Sequence, residues 1–170
     1  QFRKDRDGLA VKVVLVDDIY TEFNSGKQDI GAIRNFVKYI YDNASSPAKR
    51  IKYLGLFGDA SVDYKNRLEN NNNIVPTFQN LYSLGVSTSS AASDDFFGMM
   101  DPQEGNMISQ DKLDIAVGRI LADTPELGKI WVDKIIGYED AESYGSWRNN
   151  FVLISDDADE SGSGGYGLQV

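Results

Sequence analysis

Residues 51–59 read IKYLGLFGD, an apolar run closed by a glycine and an acid. A run that short, bounded by turn-forming residues, fits a strand buried on both faces, as in a parallel sheet. Two other stretches follow the same plan, VKVVLVDD at 11–18 and FVLISDD at 151–157. Each ends in carboxylates. In open α/β sheets, ligands sit beyond the carboxyl ends of the strands. The pattern therefore predicts an α/β fold in three layers, a mostly parallel sheet flanked by helices, with an acidic functional edge. The acids at or near that edge are Asp17, Asp18, Asp59, Asp94, Asp95, Asp156 and Asp157.

The stretches between the runs supply the helices. Ile30, Ile33, Val37, Ile40 and Tyr41 recur at spacings of three and four, which predicts an amphipathic helix. Arg34, Asn35, Lys38 and Asp42 fall on its outer side. Its start is capped either by Ser25-x-x-Gln28 or by Asp29. A strand over 11–16, this helix and the run at 51 then form a βαβ unit with a right-handed crossover. Thr124 as N-cap, Pro125 at the first helical position and Glu126 in the first turn open a later helix. Its buried side carries Leu127, Ile130, Trp131, Ile135 and Tyr138.

The remaining segments read as connections. Residues 1–10 resemble the end of a leading helix with Gly8 as its stop signal. Residues 60–73 form an exposed link, and 74–76 a brief edge strand ended by Pro76. Residues 81–92 are a long Ser- and Thr-rich loop. The segments 93–101 and 114–120 suit a hairpin at the sheet edge, and 139–146 a polar link to the third run. Residues 156–170 are acidic, then glycine-rich. The chain is expected to be one domain over 1–170, cut from a larger fold, with 1–10 and 156–170 as incomplete ends.

Composition narrows the function. The net charge of −9 argues against a nucleic-acid partner, because phosphate binding needs a basic face. The chain has no Cys and no His. That excludes, within the chain, a disulfide, a thiol nucleophile, a Ser-His or Cys-His pair and any imidazole zinc site. The letters GSGGYG at 162–167 match G-x-G-x-x-G. Asp156, Asp157, Asp159 and Glu160 stand between them and the preceding run, where they would repel a pyrophosphate, so no dinucleotide is expected. The Asn43-Ala44-Ser45 sequon reads as a chance match.

Three readings of the acids stay open. They can cap turns and face water, they can ligate a hard cation such as Ca²⁺, or they can serve a larger assembly. One arrangement, Asp17 and Asp18 after a first strand with Asp59 after a later one, imitates a phosphoacceptor receiver. This suggests a non-enzymatic α/β binding module. The Lys that such a module needs after a later strand is missing, because Ser155, Asp156 and Asp157 follow the third run.

The phrases VKVVLVDDIYTEF, AIRNFVKYIY, IKYLGLFGD, SDDFFGMMD, LDIAVGRI, TPELGKIWVDKIIGYE and WRNNFVLISDD occur in this order. Together they resemble the gingipain family of caspase-clan cysteine peptidases, over roughly residues 3–160. Within the family, IYTEFNSG, SDDFFGMMD and RNNFVLISDD are similar to the PorU-type sortases of the type IX secretion system. The resemblance implies a caspase-like fold of which this chain is the N-terminal subdomain. The catalytic His-Cys pair would lie outside the chain, which alone would be inactive. Asp157 would occupy the position of the acid that assists the catalytic His, with Asp156 beside it. Here it is Asp where gingipains use Glu, so its reach is shorter. The implied partners are protein or peptide substrates, the rest of the catalytic domain and other secretion components. The chemistry would need no cofactor. Family members carry structural Ca²⁺, whose ligands the resemblance does not place. The implied location is the periplasm, the outer-membrane surface or the medium of a Gram-negative bacterium.

Overall fold

A computed structural model describes residues 1–79, 92–108 and 110–152. The chain divides into two compact units, Gln1–Lys134 and Ile135–Val170.

The first unit opens with helix α1 (Phe2–Asp7), which Gly8 ends in a left-handed conformation, its N–H turned back to the carbonyls of Arg3 and Lys4. The strand expected over 11–16 does not form. Leu15 is extended, but helix α2 (Val16–Asn24) begins directly after it. Alternation alone does not make a strand, which needs a neighbouring ladder for its N–H and C=O groups. No strand pairs with this segment among the described residues. Val13 and Leu15 are accordingly 86% and 69% exposed, while Val14 and Val16 pack on the core.

Helix α3 (Ile30–Asp42) follows the expected stripe. Ala32, Ile33 and Val37 are buried, and Asp29 caps the start by accepting from the Gly31 N–H at 2.8 Å. Of the two caps offered by the sequence, Asp29 serves α3, and Ser25 closes α2 in a left-handed conformation. Arg34 and Lys38 do not face outward as expected. Arg34 is half-buried and donates to the carbonyls of Met99 and Glu104, and Lys38 donates to that of Met100.

Strand β1 (Tyr53–Phe57) pairs in parallel with a strand distant in sequence (Ala116–Ile120), in a register that runs from Tyr53 opposite Ala116 to Phe57 opposite Ile120. Before it in the chain come two short antiparallel strands, β2 (Phe78–Gln79) and β3 (Ala92–Ser93), so Ala116–Ile120 is β4. The hairpin expected between 93–101 and 114–120 is therefore replaced. Ser93 pairs with Phe78, and β4 with β1. The two segments still meet, because the Gly98 carbonyl accepts from the N–H groups of Asp114 and Ile115. Residues 74–76 form no strand.

The core lies on one face of the β1–β4 pair. Ile19 and Tyr20 of α2, Ala32 and Ile33 of α3, Leu56 of β1, Val75 and Phe97 form one cluster, and Phe97 is fully buried. Val37, Met100 and Ile115 form a second. The opposite face is covered sparsely, so β1 is not buried on both faces. Tyr53 and Phe57 remain exposed. Helix α4 (Pro125–Tyr138) reaches this side through Gly128, where an added Cβ would lie 2.9 Å from the Phe57 ring. Thr124 caps α4 as expected, its hydroxyl accepting from the Leu127 N–H. The apolar stripe expected on α4 is only half used. Leu127 and Trp131 are half-buried, but Ile130 is 62% exposed. Ile130 lies about 200° around the helix from Gly128, so it points away from the contact, whereas Leu127 and Trp131 flank it.

In the second unit, described to residue 152, the end of α4 continues into single 3-10 turns at Ala141–Ser143 and Ser146–Asn149. The expected polar link is an aromatic knot. The Arg148 guanidinium lies 4.0 Å from the Tyr138 ring centroid and 3.9 Å from that of Tyr144, and it donates to the Tyr138 carbonyl. Phe151 and Val152 are exposed and not in a strand. The rest of the third expected strand lies outside the described residues.

Candidate functional site

The carboxyl ends of β1 and β4 are the edge where the sequence places its acids. At the end of β1, Gly58 turns the chain with φ 142°. L side chains rarely adopt that conformation, and a Cβ there would lie 2.8 Å from the Ile74 side chain. Asp59 follows. Its main-chain carbonyl accepts from the N–H groups of Ile74 and Val75 at 2.9 and 3.0 Å. Its Oδ2 accepts from Asn72 at 2.7 Å, and its buried Oδ1 has no partner. Asp59 is thus the anchor that folds residues 60–75 back onto the strand end.

One residue at the end of β4 holds this edge together. Arg119 donates through Nε and Nη2 to both oxygens of Asp94, each at 2.7 Å. Its Nη1 reaches the carbonyls of Gly58 at 2.8 Å and Val75 at 2.6 Å, and Nη2 that of Pro76 at 3.3 Å. The Thr77 hydroxyl completes the set by donating to Asp94 Oδ1 at 2.8 Å. The ion pair is well shielded, with the Arg119 side chain 10% and the Asp94 side chain 22% exposed. Burial pushes the Asp94 carboxyl up. The hydrogen bonds from Arg119 and Thr77 and the arginine's charge outweigh it, so the group sits below its ordinary value of 3.8.

Arg119 is not among the residues that the sequence pattern marks as candidates. The available signal was a guanidinium within an otherwise apolar strand, AVGRI, where a buried charge requires a partner. Asp94 stood among the candidate acids, but nothing local pointed to its partner 25 positions away.

The other candidates separate. Asp17 and Asp18 occupy the first turn of α2, where the helix dipole favours acids. They and Asp59 do not form a cation-holding group, so the receiver-like triad is not assembled. No group of three or more Asp, Glu, His or Cys side chains able to hold a metal ion exists among the described residues. Asp95 begins the 3-10 turn Asp95–Gly98, its N–H donating to the Ser93 hydroxyl. Asp156, Asp157 and the glycine-rich letters at 162–167 lie outside the described residues.

Chemically, the edge is a brace. A carboxylate held charged and bound through both oxygens is a poor general base. With no His or Cys in the sequence, no thiol-imidazole pair can form within this chain.

Comparison with known proteins accords with that geometry. The model of peptidase family C25 matches residues 1–168. Among solved structures, the chain is similar to dimeric latent PorU from Porphyromonas gingivalis, with 33% sequence identity and a TM-score of 0.68. The match covers 87% of this chain and 15% of that one, so the chain spans a small part of that protein's length. A search of curated proteins gave no match. The matched family extends over nearly every residue, and the parallel pair with its flanking helices has a counterpart in a solved structure: the chain belongs to peptidase family C25, the gingipain family that its sequence resembles.

Proposed function

We infer that this chain is the N-terminal subdomain of a gingipain-like cysteine peptidase of the sortase type, with the catalytic His and Cys supplied from outside it. The observation that carries this reading is the family match over residues 1–168 in a chain without His or Cys. The braced strand ends support it, because they suit a scaffold better than a reacting site.

In the complete enzyme, the Cys thiolate attacks a peptide carbonyl. The C–N bond breaks, the His gives its proton to the departing amine, and an acyl-enzyme remains. Water then releases the acyl group as an acid, or an amine nucleophile takes it in a transpeptidation. Asp157, with Asp156 as its neighbour, is proposed to orient the His. The substrates are secreted proteins or peptides, and the setting is the type IX secretion pathway at the surface of a Gram-negative bacterium.

Asp157→Ala in the complete enzyme tests the assignment. We expect kcat to fall at least tenfold with KM little changed, and unchanged turnover would remove Asp157 from the mechanism. The isolated 170-residue chain should hydrolyse no peptide, and activity in it would overturn the reading.

A further inference from the structure

We draw no further inference here: the strongest candidate, the outward face of the β1–β4 pair, where Gly55 and Gly118 lie opposite one another beside the exposed Tyr53 and Phe57, is an unpartnered apolar face, and nothing in the structure shows what covers it.

Discussion

Arg119 and Arg34 perform related tasks in different company. Each projects from a regular element and holds loop carbonyls that would otherwise need water. Arg119 grips three carbonyls and both oxygens of Asp94. Arg34 grips the carbonyls of Met99 and Glu104 and lies 5.5 Å from the Phe96 ring centroid. The first is a shielded ion pair joining the strand ends to two loops. The second is a neutral clasp on one loop. Removing one partner of a shielded pair strands the other charge, whereas losing a clasp leaves neutral carbonyls without a donor, those of Met99 and Glu104.

Arg119→Met should therefore have the largest effect, a loss of about 3–5 kcal/mol from the stranded Asp94 carboxylate. A lowered denaturant midpoint in equilibrium unfolding would show it. Arg119→Lys should recover little, because an ammonium cannot reproduce the two-pronged contact. A full recovery by Lys would mean that charge alone matters, and the contrast between the arginines would fail.

Arg34→Met should cost less, about 1–3 kcal/mol, because no charge is left unpaired. The same unfolding experiment ranks the two. If Arg34→Met proved the more damaging substitution, the loop clasp and not the strand-end brace would dominate the fold.

The features legible in the sequence were local. The stripe on α3, the Asp29 cap, the Gly8 stop and the Thr124-Pro125 start each depend on residues within a turn or two, and the structure bears them out. Strand partners are not local. The 11–16 segment has the right residues and no ladder, while β1 finds its neighbour in β4, beyond the whole 58–115 excursion. The partners of the two arginines are equally non-local. A helical pattern assigns Arg34 to the outer face by polarity, and only the fold brings residues 99–104 over it. At the candidate site, the turn at the end of the 51–59 run was legible from its glycine and acid, but the bond of Asp59 to Asn72 and the Asp94–Arg119 pair were not. The residues expected to assist chemistry, Asp156 and Asp157, lie outside the described residues.

A smaller test sharpens the account of the brace. The Asp94 carboxyl is held below 3.8. Its contribution to stability is therefore complete above about pH 4 and is lost as pH falls through the folded-state value. Thr77→Val removes one of the bonds that lower it, at about 1 kcal/mol. The Asp94 titration midpoint, followed by carboxyl NMR, should move up, so that protonation begins at a less acid pH. An unmoved midpoint would mean that Arg119 alone sets the carboxylate's state.

The smallest effect is expected where a polar group is buried with no partner. The Tyr20 hydroxyl is enclosed in the core without a hydrogen bond. Its pKa is pushed from 10.0 up to about 12, by burial first and then by the charges of Asp17 and Asp29. Tyr20→Phe at pH 7 removes a buried group that gains nothing from the fold, so stability should change by less than about 1 kcal/mol and can rise. High pH separates the variants. A raised folded-state value gives a contribution that is complete below about pH 10 and is lost as pH climbs toward 12. The wild-type chain should therefore lose thermal midpoint relative to Tyr20→Phe across that window, and the two curves should run parallel below it. Parallel curves throughout would mean that the hydroxyl ionises as freely in the fold as in water. A large loss at pH 7 would mean that it has a partner after all, and that enclosure without pairing is not what distinguishes it from Asp94.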